Sequence, residues 1–93
     1  MHNHSLSPSL KRVLSRLLKK DRALYEQILK KIEAVITSQD IEHFKNLRYS
    51  LKEYKRIHIG HFVLVFSYDK EKDLIIFKDF DHYDDVYKHR CYD

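Results

Sequence analysis

Asp21 stands between two apolar stripes of helical period with no loop residues around it, and that junction leaves the first half of the chain little choice of shape. Leu10, Val13, Leu14, Leu17 and Leu18 recur at i, i+3, i+4, i+7 and i+8, one face of an amphipathic helix. Leu24, Tyr25, Ile28, Ile32, Val35 and Ile36 make a second stripe, which fades near Ser38. Ser7-Pro8 reads as an N-cap followed by proline at the first helical position. Asp21 reads as a stop that caps the next helix. Two helices joined so tightly form an antiparallel hairpin. With both stripes apolar, they need a third layer to cover.

That layer comes from the second half. From Ser50 the period changes to two, and β-branched and aromatic residues dominate. "EYKRIHI" alternates, with Tyr54, Arg56 and His58 on one face and Lys55, Ile57 and Ile59 on the other. "HFVLVFSY" is a nearly continuous apolar strand, "DKEKD" a polar turn, and "LIIFKDF" a third strand. A short helical or irregular tail, "DDVYKH", follows. Gly60-His61 fits a two-residue type II′ turn, with glycine at the first central position. Ile59 then faces Phe62 and Ile57 faces Leu64. One face carries Ile57, Ile59, Phe62, Leu64 and Phe66 for the helices to cover. Tyr54, Arg56 and His58 converge with Val63 and Val65 on the open face away from them. A one-residue slip would reverse the two faces.

The 93 residues suit one domain, 1–93, with a single modest core. The formal charge of +4 makes a polyanionic partner plausible without demanding one. Basic residues concentrate in "KRVLSRLLKK" and "KNLRYSLKEYKR", whereas "DFDHYDDVY" is acidic. The single cysteine, Cys91, excludes an internal disulfide and fits a reducing cytosol. No apolar run reaches the ~20 residues of a membrane span. The opening "MHNHSLSPS" lacks a signal peptide's hydrophobic region. A small, cytoplasmic, soluble protein is expected. His2, His4 and His89 read as parts of flexible ends.

Order and spacing then point to a family. "SPSLKRVLSRLLKKD" looks like the opening helix of the RelE/ParE toxin superfamily. "FKNLRYSLKEYKRIHIGHFVLVFSY" resembles its central signature, in which a leucine after the second helix precedes a basic-hydrophobic strand, a glycine turn and an aromatic-aliphatic strand. "DHYDDVY" resembles its closing motif. The arrangement of His58 before the turn and His61-Phe62 after it is most similar to YafQ-type toxins, although His61 stands where those carry an acidic residue. Lys45 falls where that subgroup has another histidine. Tyr83 falls on its late catalytic histidine, with His82 one residue earlier, and Tyr87 matches its closing aromatic. Val63 stands where many RelE toxins have arginine. "HNHSL", at the place of the family's first strand, has little that favours β structure.

The resemblance implies an α+β fold, a helical hairpin packed on one face of a small antiparallel sheet. It also implies an endoribonuclease that cuts messenger RNA in the ribosomal A site without metal or organic cofactor. The implied partners are a cognate antitoxin, with which such toxins assemble into oligomers, and the ribosome with its message. No membrane is involved. Metal-free RNA cleavage needs a base for the 2′-hydroxyl, a cation for the phosphorane and an acid for the leaving 5′-oxygen. Arginine binds phosphate through its planar fork, and histidine suits either proton task. Arg56 is therefore expected on the phosphate and His58 on a proton. His61, His82 and Tyr83 are further proton or substrate candidates, and Tyr87 would orient the phosphate or stack on a base. Lys45, Arg48, Lys52 and Lys55 would grip RNA phosphates.

Plainer roles compete for each residue. His58 could be a hydrogen-bonded strand histidine, His61 and His82 solvated surface groups, and Tyr87 a packing residue. Arg56 could pair with Glu53 or Asp69, and the lysines could simply solvate a face. The spacing of His58 and His61 matches no standard zinc signature. Two other functions fit the same fold: a ParE-like poison of DNA gyrase that cuts no RNA, and a degenerate toxin that only binds antitoxin or RNA.

Overall fold

A computed structural model describes residues 2–88, so Cys91 and His89 lie outside the described residues. The chain runs β1 (Asn3–Leu6), α1 (Pro8–Lys20), α2 (Arg22–Ile36), two single turns of 3-10 helix (Ile41–His43 and Tyr49–Leu51), β2 (Lys55–Ile59), β3 (Phe62–Asp69), β4 (Leu74–His82) and α3 (Tyr83–Val86). The strands form one sheet in the order β1-β4-β3-β2.

The helical hairpin is built as its capping residues dictate. Ser7 Oγ accepts from the Leu10 amide at 3.1 Å, and Pro8 opens α1. Asp21 donates its N–H to the Leu17 carbonyl at 2.8 Å, ending α1, while its Oδ1 accepts from the Leu24 amide at 3.2 Å, starting α2. One residue thus serves two helix ends. Leu10, Leu14, Ile28, Ile32, Val35 and Ile36 face the sheet and are buried. Leu18, at the far end of the first stripe, has rotated off the core and is 41% exposed.

The sheet supplies the third layer. Ile59 pairs with Phe62, Ile57 with Leu64 and His58 with Val63, the register of a two-residue turn. Gly60 has φ 64° while His61 keeps a negative φ, as type II′ requires. Ile59, Leu64, Phe66, Ile75, Phe77 and Phe80 pack against the hairpin, with Ile57 and Phe62 half-buried beside them. Phe66 and Phe77 are fully buried, and burial on that scale is worth roughly 1.5–3 kcal/mol per side chain.

Three expectations need correcting. The sheet is mixed, because β1 lies parallel to β4 with Leu6 opposite Phe77. Its ends are fastened where sequence propensity is silent. Ser7 donates from N–H to Phe77 O at 2.9 Å and from Oγ to Lys78 O at 2.5 Å. At the other end His2 N–H donates to Ile36 O at 2.8 Å, so His2 and His4 belong to an ordered edge. The face away from the hairpin is also not open. Leu47, Leu51 and Val86 close over Val63 and Val65, forming a second small core bordered by Tyr54, Tyr83 and Tyr87. The tail that supplies Val86 is α3.

Candidate active site

Strand β2 brings Arg56 and His58 to the same face, one strand-step apart, at the rim of this second core. The segment before it runs along the strand's outer edge. Arg56 N–H donates to Lys45 O at 2.9 Å and Leu47 N–H to Tyr54 O at 2.8 Å. Arg56 is half-buried, and its Nε is buried with no hydrogen-bond partner. Its Nη1 meets Nε2 of His58. A guanidinium only donates, so His58 must present a lone pair there, which only the neutral imidazole has.

Electrostatics agree with that assignment. His58 is exposed on its outer side, but its other side lies against Tyr83, with ring centroids 5.5 Å apart and planes at 26°. Desolvation first, then the charges of Arg56 and Lys45, hold the imidazole below its ordinary value of 6.5. At neutral pH it is a free base next to a fixed cation.

Arg56 and His58 open onto a cleft of ≈ 560 Å³ between α2 and β2. Lys31, His43 and Lys45 contribute polar groups, and Ala34, Phe44 and Ile57 an apolar floor. Cations around an apolar floor suit a nucleotide, with its phosphate and its base. Lys31 carried no signal in the sequence, because a charged residue on the outer side of α2 looks like any solvated helix position, and His43 carried none because it lies in an irregular stretch, the single turn Ile41–His43.

The other candidates divide. Tyr83 opens α3 and stacks on His58, and Tyr87 follows it with ring centroids 5.4 Å apart. Tyr87 OH accepts from the Arg48 amide at 3.1 Å, which ties α3 to the 47–51 segment. Burial raises the Tyr87 phenol above its ordinary value, Tyr83 adds to that, and the Arg48 N–H opposes it. His61 and His82 lie elsewhere. His82 is the cross-strand partner of Phe62, so it sits on the hairpin side of the sheet, and the His61 ring lies parallel to it at 6.1 Å. Lys45, Arg48 and Lys52 are exposed. Lys55 is 8% exposed, and its Nζ donates to Phe44 O at 3.1 Å and Asn46 Oδ1 at 3.0 Å. Among the described residues no three His, Cys, Asp or Glu side chains converge on a common point, and no helix is long and apolar enough to cross a membrane.

No protein-family model matches the chain. It is 44% identical over 89 residues to "Putative toxin RelE4" of Methanocaldococcus jannaschii, covering 95% of this chain and 93% of that protein. Its fold is similar to the isolated Escherichia coli RelE toxin, with TM-score 0.64 and 22% identity over 95% of this chain and 97% of that one. The toxin–antitoxin complex RelBE2 of Mycobacterium tuberculosis gives TM-score 0.65 and 18% identity over 87% and 90%. Helical hairpin and mixed sheet are thus the frame of a class of small toxins. The chain belongs to the RelE/ParE toxin superfamily.

Proposed function

We propose that this protein is the toxin of a toxin–antitoxin pair and cleaves messenger RNA on the ribosome by acid–base chemistry, in the manner of the YafQ-type toxins its motifs resemble. The observation that supports this most is the contact between Arg56 Nη1 and the neutral Nε2 of His58 at the mouth of a cationic cleft. In the free protein the guanidinium occupies the histidine's lone pair. A phosphodiester entering the cleft offers Arg56 a better acceptor and draws it onto the phosphate oxygens. That move frees Nε2 to take the proton of the adjacent 2′-hydroxyl. The 2′-oxygen forms its bond to phosphorus, Arg56 compensates the charge on the phosphorane, and the bond to the 5′-oxygen breaks. Tyr83, next to His58, gives the leaving oxygen its proton. The products are a 2′,3′-cyclic phosphate and a 5′-hydroxyl, and no metal or organic cofactor takes part.

Lys45 lines the cleft, Arg48 and Lys52 are exposed at the two ends of the Tyr49–Leu51 turn, and all three would contact flanking phosphates, while Lys55 is engaged internally. Tyr87 holds the roof of the site. His61 and His82, at the turn end of the sheet but on its hairpin face, would touch substrate or ribosome there. A cognate antitoxin is the expected partner, since RelBE2 was solved as such a complex, and assembly with it would occur in the cytoplasm.

The test is induction in a host cell, with primer extension on its messages. Codon-phased breaks with 5′-hydroxyl ends are expected, and Arg56→Ala or His58→Ala should reduce cleavage by roughly 10²–10⁴. Intact messages with DNA-damage signalling would instead mark a gyrase poison, and full toxicity in the Arg56→Ala/His58→Ala double variant would overturn the assignment.

A further inference from the structure

Tyr49 combines two features that rarely meet. Its backbone sits at φ 60°, in the left-handed region, where glycine or asparagine is the inexpensive choice and a bulky residue is strained. Its side chain is 80% exposed. A tyrosine kept for packing would be covered, and a solvated turn would not hold an aromatic ring against its backbone preference. Strain of this kind persists where the surroundings over-determine it and clusters at functional sites. Here buried Leu47 and Leu51 pin the chain on both sides.

The ring also has a direction. It meets the Tyr87 ring edge-to-face at 6.1 Å, Tyr87 meets Tyr83 at 5.4 Å, and Tyr83 stacks on His58 at 5.5 Å. An aromatic path therefore runs from solvent to the proposed proton-transfer group. Arg48, exposed, precedes Tyr49, and its amide N–H donates to the Tyr87 hydroxyl. The ring's mount is thereby fixed to the roof of the site. Exposed aromatics beside cations are stacking platforms for unpaired bases.

We propose that Tyr49 is a nucleobase subsite: it stacks on an unpaired RNA base flanking the bond held by Arg56 and His58. This rests on the ribonuclease reading above and adds a residue that contacts substrate away from the reacting atoms. It positions the RNA strand and carries no proton.

The experiment uses a single-stranded RNA dodecamer, 2′-O-methylated throughout so that it cannot be cut, presented free and on ribosomes. Tyr49→Asn removes the ring and suits the left-handed backbone, so thermal stability should hold or rise. Its affinity for the dodecamer should fall about five- to 150-fold, the range for one stacked base. Tyr49→Phe should bind as the wild type does. A dodecamer lacking one base should weaken the wild type but cost Tyr49→Asn nothing further. The slope of affinity against salt should not change, because no phosphate contact is lost. Equal binding by wild type and Tyr49→Asn in both presentations overturns the subsite and leaves cleavage by Arg56 and His58 standing. A Tyr49→Phe loss as large as that of Tyr49→Asn also overturns it, because the hydroxyl and not the ring would then matter. A wild type that binds the dodecamer in neither presentation overturns both readings.

Discussion

Tyr83 stacks on His58 although one opens α3 and the other belongs to β2, and this contact joins the C-terminal segment to the site. Its planes lie at 26° and its centroids 5.5 Å apart, so the phenol ring covers one face of the imidazole, while its hydroxyl hydrogen-bonds with Tyr87. If Tyr83 supplies the leaving-group proton, Tyr83→Phe should keep the stack and the fold yet lose roughly 10²–10⁴ in cleavage rate. A substrate with sulfur in place of the scissile 5′-oxygen needs no acid, and should be cut by Tyr83→Phe nearly as fast as by wild type. Failure of that rescue would move the acid role elsewhere.

The lowered pKa of His58 sets the expected pH profile. Its causes are burial, Arg56 and Lys45, in that order, and each favours the neutral base. The acid limb of kcat/KM, which reports the free enzyme, should therefore fall below the histidine's ordinary value of 6.5. Lys45→Gln removes one of the three causes, so the limb should move up toward 6.5. A limb above 6.5 in the wild type would contradict base catalysis by His58.

His2 makes the opposite demand. Its Nδ1 contacts Asp73 Oδ1 at 2.5 Å and its Nε2 contacts Ser38 O at 2.6 Å. Both partners are acceptors, so the ring satisfies both only when doubly protonated. The hydrogen bond to Asp73, then that to Ser38, raises its pKa above 6.5. A raised value in the folded state stabilises fully below 6.5 and is lost as pH rises through the folded pKa. Asp73 is lowered, chiefly by His2, so its share holds above 3.8 and is lost as pH falls through its folded value. Urea unfolding should show the β1 attachment strongest in mild acid, and His2→Gln should flatten the change between pH 6 and 8.5. His58, with its pKa lowered, works against this: its cost to folding is absent above 6.5 and grows as pH falls from there toward its folded value. In His58→Gln the same pH change should therefore look steeper.

What the sequence made legible follows from where its signals are redundant. Caps and stripes agree at Ser7, Pro8 and Asp21, and the alternation after Ser50 agrees with the glycine turn, so hairpin and register could be read directly. Strand β1 could not, because three of its four side chains are exposed and no apolar pattern marks it. Lys55 shows two signals in conflict. Its charge points to phosphate, its alternation with Ile57 and Ile59 points to the hairpin side, and position prevails. The bulge opposite Val65 and Phe66 breaks the phase of β4, which sends His82 to the hairpin side and away from His58. The second core was hidden because Val86 lies far along the sequence from Leu47 and Leu51, and nothing in the sequence pattern joins it to them.

Lys55 and Lys45 should therefore behave differently when each is removed. Lys55→Ala leaves Phe44 O and the Asn46 side chain without their donor and should cost about 1–3 kcal/mol in unfolding. The salt slope of RNA binding should stay as in wild type. Lys45→Ala should barely change stability. If it touches a phosphate, the log-log salt slope should become shallower by about 0.7. A change in slope for Lys55→Ala would return that lysine to the RNA surface.

Gly60 offers a test of the turn that sets Arg56 and His58 in place. Nothing lies within 4 Å of a Cβ built there, so a side chain meets no obstacle and only the backbone at φ 64° resists it. Gly60→Ala should cost roughly 1–2 kcal/mol, the penalty for an L-residue in the left-handed region. Gly60→Asn should cost less, since asparagine tolerates that region. Because Ile59 and Phe62 still pair across the turn, both variants should retain cleavage below their unfolding temperatures. A Gly60→Ala variant as stable as wild type would mean that residue 60 does not hold the left-handed backbone assigned to it. A variant that lost both cleavage and several kcal/mol would instead mark a slipped register, since a slip carries His58 to the hairpin face and Ile57 and Ile59 out of the core.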